Sequence, residues 1–131
     1  MITNRKTDHI GMAVTDPKAD AEWYQEVLGF HLKGKFPDND GKTVYFVANK
    51  DDSVVYEIYE GCDLPEGAIG KIDHISYPSD DIEKDYQFCV EKGYTICTDG
   101  IEAIPSFWEN GIRYFKILSP TKEEVEFCQR L

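Results

Sequence analysis

Asp8-His9-Ile10 returns as Asp73-His74-Ile75, and both times the tripeptide leads into a cap, a helix-length segment and a glycine, Gly29 and then Gly93. The interval from His9 to Gly29 nearly equals that from His74 to Gly93. Agreement in tripeptide, cap, helix length and stop points to duplication of one supersecondary unit. A chain of 131 residues then holds two copies of one module, about 6–62 and 70–131, read as one compact domain over 1–131.

The content of the module follows from patterning. In the first copy Asp8 to Val14 alternates as a strand, and Thr15-Asp16-Pro17 supplies a cap and a proline at the first helical position. Ala19, Trp23, Val27 and Leu28 recur at helical spacing until Gly29. Three β-rich runs follow, FHLKGKF, KTVYFVAN and SVVYEIYE, separated by turn-forming clusters. In the second copy KIDHISYP is the strand, Ser79-Asp80-Asp81 the cap, and the helix runs to about Lys92. Tyr94–Thr98, Arg113–Leu118 and Glu124–Cys128 are the strands expected after it, with 100–111 holding a short strand and a loop. Residues 61–70 read as the connector. The class is α+β, two tandem βαβββ modules.

Alternation along the strands assigns the chemistry. His9 shares a face with Gly11 and Ala13, while Ile10, Met12 and Val14 take the helix side; His74 falls in the same way with Ser76. On the last strand of each module Glu57 sits between Tyr56 and Ile58, and Glu126 between Val125 and Phe127. Each module therefore provides one imidazole and one carboxylate at matching places, with similar spacing between them in the two copies. Carboxylates among apolar neighbours are costly to desolvate, and a divalent cation offsets that for two carboxylates and two imidazoles. The N2O2 set of His9, Glu57, His74 and Glu126 suits Ni, Zn, Co, Mn or Fe, with positions left for water or substrate. Glu124 reads as a rim or solvent residue and His31 as a surface imidazole. Tyr45, Val47, Tyr59, Phe107 and Trp108 are expected to line the pocket, and Arg113 or Lys116 to meet an anion. The apolar stretch Ala103–Trp108 reads as a lid, a dimer contact or a buried loop.

A net charge of −11 opposes attraction to nucleic acid and to anionic membranes, and no apolar run reaches the roughly 20 residues a membrane helix needs. The expected partner is a small-molecule substrate. No secretory segment is visible in MITNRKTDHI, and Cys62, Cys89, Cys97 and Cys128 form no CxxC pair, which favours thiols in a cytoplasmic chain.

DHIGMAVTDPKADAEWYQEVLGF, DHISYPSDDIEKDYQFCVEKGY and the ending ILSPTKEEVEFCQ resemble the vicinal oxygen chelate superfamily, in particular its glyoxalase I branch and the glyoxalase/bleomycin resistance proteins. The resemblance implies an eight-stranded, incompletely closed mixed sheet cupping a metal at His9, Glu57, His74 and Glu126, and a homodimer whose site can include partner residues. It also implies a lyase or isomerase moving a proton next to a carbonyl through a metal-bound enediolate, with Glu126 or Glu57 as base. A non-catalytic ligand-binding or resistance protein and an acyl-CoA epimerase are the alternatives. Glutathione-using relatives carry an Arg four residues past the first His and an Asn four past the first Glu. Ala13 and Gly61 stand there, so a lactoylglutathione lyase role loses two anchors.

Overall fold

The computed structural model describes residues 9–61 and 74–131. The opening residues of both first strands, Cys62 and nearly all of the connector lie outside them. The chain divides into two compact units, 1–66 and 67–131.

Unit 1 consists of β1 (Ile10–Val14), α1 (Pro17–Leu28), β2 (His31–Pro37), β3 (Thr43–Ala48) and β4 (Val55–Glu60), with sheet order β1-β4-β3-β2. Asp16 caps α1 by accepting the Ala19 amide at 3.0 Å, Pro17 presets the first turn, and Gly29 closes the helix at φ 66, a left-handed conformation that suits a residue without Cβ. The core forms where Tyr24 of α1 meets Tyr56 and Phe30, over Val47 and Ile58. Asp20, Ala21 and Tyr24 carry the deepest side of α1 rather than Ala19, Trp23, Val27 and Leu28, which are only half buried. Helical spacing finds a stripe, but the strand beneath decides which edge of it is deepest.

Unit 2 repeats the plan with β5 (His74–Pro78), α2 (Ile82–Glu91), β6 (Glu102–Ile104), β7 (Ile112–Leu118) and β8 (Glu124–Arg130), ordered β5-β8-β7-β6. Asp81 caps α2 through the Lys84 amide, and Gly93 follows the helix at φ 75. Ile82 and Cys89 of α2 pack over a sheet face holding Phe115, Ile117 and Val125. Burial there pushes the Cys89 thiol up to about 11. Two tandem βαβββ units in the α+β class are thus present, their eight strands running as two four-stranded mixed sheets.

The expected strand Tyr94–Thr98 is not one. Ile96 makes a single bridge to Ile117, and the edge strand resumes only at Glu102. The Thr98 hydroxyl oxygen accepts the Lys116 amide at 3.1 Å, so a side chain takes the ladder position that a backbone carbonyl would hold. No described helix is long and apolar enough to cross a membrane.

Candidate functional site

In each sheet the first strand of the module lies parallel to the last, which brings residues far apart in sequence abreast. Gly11 stands opposite Glu57, and Ser76 opposite Glu126; the histidine is two residues earlier on the strand each time, hence on the same face. His9 Nε2 lies 3.1 Å from Glu57 Oε2, and His74 Nε2 lies 3.5 Å from Glu126 Oε2. The structure therefore pairs the four predicted residues two by two, one imidazole and one carboxylate per unit. Among the described residues no three His, Cys, Asp or Glu side chains form a group of their own.

The two pairs have different surroundings. Gly11 leaves space beside Glu57, since a Cβ there would sit 3.7 Å from Oε2, and Phe46, across the sheet from Glu57, meets the His9 ring edge-on. Glu126 is more enclosed, its side chain 12% exposed against 29% for Glu57. The Ser76 hydroxyl donates to Glu126 Oε1 at 2.7 Å, and Lys116 stands across the sheet where Phe46 stands in unit 1. Lys116 Nζ donates to Glu124 at 2.7 Å. Glu124 is thus no plain solvent residue: it is half buried, abreast of His74, and ion-paired. Serine alternation at 76 was legible in sequence, but the cross-strand partners of Glu126 depend on register, which spacing alone does not supply.

The expected lining residues separate by face. Tyr59 lies beside Gly11 on the Glu57 side, whereas Val47 and Tyr45 alternate with Phe46 onto the helix side, and Val47 is fully buried there. Arg113 also faces the helix side and pairs with Glu83 of α2, so of the two cations expected to meet an anion Lys116 alone is on the Glu126 face. The Arg113 hydrogen bond holds the Glu83 carboxyl below its ordinary range. Within unit 2 a pocket of ≈ 760 Å³ is bordered by Ser76, Glu126, Ile112, Phe107, Trp108 and Arg130, among others. Phe107 and Trp108 are exposed, so Ala103–Trp108 is not a buried loop: its start is β6 and the rest is a turn. Burial, with the nearby Glu126 charge, raises the Cys128 thiol on the same lining.

The sequence model of the glyoxalase/bleomycin resistance protein/dioxygenase superfamily matches residues 6–112, most of the chain. The chain belongs to this superfamily. An uncharacterized protein of Bacillus subtilis (strain 168), YwbC, is 31% identical over 128 residues, covering 96% of this chain and 98% of that protein. The superfamily fold is shared with TnmS3, an antibiotic-binding protein from Streptomyces sp. CB03234, at TM-score 0.76 and 19% identity over 100% of both chains. It is shared as well with a glyoxalase family protein from Enterococcus faecalis, at TM-score 0.74 and 18% identity over 95% of this chain and 97% of that one.

Superfamily members typically bind a divalent ion, and the donor pairs can be tested against one. Two ligand atoms on an ion at roughly 2.1 Å lie about 3.0 Å apart at a right angle and about 3.4 Å apart in a tetrahedron. The separation of 3.1 Å is close to the right-angle value and that of 3.5 Å to the tetrahedral one. A neutral imidazole and an ionised carboxylate are also the protonation states such an ion requires. Each pair by itself fits as two ligands of a divalent ion.

Proposed function

We propose that residues 1–131 act as one domain of glyoxalase type, a metal-dependent lyase or isomerase in which His9, Glu57, His74 and Glu126 hold one divalent ion, Ni, Zn, Co, Mn or Fe. The observation that carries this is the recurrence, at one register position in both modules, of an imidazole Nε2 within 3.1 and 3.5 Å of a carboxylate oxygen. When bound, the ion supplies Lewis-acid stabilisation of charge developing on a carbonyl oxygen.

The chain's own residues have the remaining tasks. Glu126 or Glu57 moves the proton on the carbon next to the carbonyl. Ser76 holds one oxygen of Glu126, so this carboxylate is oriented by a hydroxyl donor at the position where the first strand of unit 1 gives Glu57 only Gly11. Lys116 neutralises Glu124 and limits the negative charge that a substrate carbonyl meets. The substrate is a small α-oxygenated carbonyl compound; Ala13 and Gly61 argue against a glutathione adduct. A homodimer in the cytoplasm completes the reading.

A second reading, ligand binding without chemistry, is supported by the aromatic side chains bordering the unit 2 pocket and by the likeness of fold to an antibiotic-binding protein. Metal analysis, followed by solvent-deuterium exchange into hemithioacetals and acyl-CoA thioesters, separates the possibilities. Exchange into hemithioacetals supports the glyoxalase-type reading, exchange into acyl-CoA thioesters an epimerase. Bound metal with no exchange supports the second reading. His9→Ala and His74→Ala should each abolish binding of the same single ion. Retention of the parent metal content in either variant would overturn the four-ligand site.

A further inference from the structure

We propose that Arg130 anchors an anionic group on an elongated, planar small molecule held in the unit 2 pocket. The proposal deepens the reading above and rests on it only for placing the reactive carbonyl towards Glu126.

Arg130 is the cationic side chain on the lining of this pocket, whereas Lys33, Lys42, Arg113 and Lys116 each hold a carboxylate elsewhere. Among the described residues no carboxylate pairs with Arg130. Its guanidinium lies instead over the Trp108 ring, 3.8 Å from the centroid, a stack that orients the planar donor fork without using up its hydrogen bonds. Arg130 and Glu126 occupy the same face of β8, four residues or about 13 Å apart, and both border the pocket. Glu126 repels an anion at one end of the lining; Asp80, whose carbonyl accepts from Gln129 Nε2, stands at the other end, where the Arg130 guanidinium is the cation that an anion meets.

The aromatic wall is built rather than incidental. Trp108 has φ 56, a left-handed conformation unfavourable for a bulky side chain, in the turn that Gly111 closes against Pro105. The Leu131 amide donates to the Gly111 carbonyl, tying this turn to the end of β8 beside Arg130. Trp108 remains 66% exposed and Phe107 49% exposed, so each offers ring surface to a flat ligand.

Calorimetric titration of chelator-treated protein with biphenyl-4-carboxylate and with its neutral isostere biphenyl-4-carboxamide tests this apart from any metal chemistry. The carboxylate should bind roughly tenfold tighter, as expected for charge-assisted hydrogen bonds. Arg130→Gln should remove the preference, Arg130→Lys should keep part of it, and Trp108→Ala should weaken both probes. Equal affinities, absence of carboxylate binding, or a preference that survives in Arg130→Gln would overturn the proposal. Failure of the four-ligand site would show only in metal content, so the two failures are distinguishable.

Discussion

At Gly111 a side chain is disfavoured twice over. A Cβ there would lie 3.0 Å from Pro105 Cα and 3.2 Å from the Ile104 carbonyl oxygen, and φ is 91. At Gly29 φ is 66 but nothing lies within 4 Å. Gly29→Ala should therefore cost about 1 kcal/mol, the left-handed penalty alone, and Gly111→Ala more, about 2–3 kcal/mol with the backbone clash added. Denaturant unfolding of the two variants side by side measures the difference. Both glycines are plain in the sequence, but only the second has a neighbouring chain segment to collide with. Glu126 teaches the same lesson in another way. Alternation predicts its face, while its enclosure by Ser76 and Lys116 follows from β5 and β7 coming abreast of β8 on either side.

Among the elements, α2 is fastened to its sheet by apolar contacts of Ile82, Tyr86 and Cys89 and, at the margin, by the ion pair between Glu83 and Arg113. The Arg113 hydrogen bond depresses the Glu83 pKa below its ordinary value of 4.5. A depressed carboxylate contributes stability above its unfolded pKa, and that contribution is lost as pH falls through the lower folded value. Glu83→Gln should thus lower stability slightly at neutral pH and have no further effect once the parent's Glu83 is protonated. Midpoints measured by circular dichroism from pH 7 down to about pH 3 should converge at the acid end. The edge of this unit's sheet is where patterning misleads: Tyr94–Thr98 has strand-like composition, but Thr98 bonds to β7 through its side chain and the pairing moves to Glu102–Ile104.

For the whole molecule the proposed ion links two halves of the sequence, and linkage makes a thermodynamic prediction. A metal that binds the folded chain at a concentration 100 times its dissociation constant should stabilise it by about 2.7 kcal/mol. Thermal unfolding with and without added Ni or Zn reads this as a rise in midpoint. His9→Ala and Glu126→Gln, one from each unit, should each abolish the rise. A rise that persists in either variant would mean that the unit left intact binds metal by itself.

Duplication, helix limits, strand faces and the choice of four candidate donor residues came from the sequence itself, because caps, glycine stops and two-residue alternation are local consequences of backbone sterics and hydrogen bonding. Tertiary structure alone decided what lies next to each donor. The parallel pairing of first and last strands joins His9 to Glu57 and His74 to Glu126 across most of each module's length, and register then gives Glu57 a phenylalanine and Glu126 a lysine as cross-strand neighbour. It also turned Arg113 towards α2 and laid Arg130 on Trp108. Local rules place a side chain on a face, but the partner across that face belongs to another strand, and between the first and last strands of a module no short-range signal encodes the register.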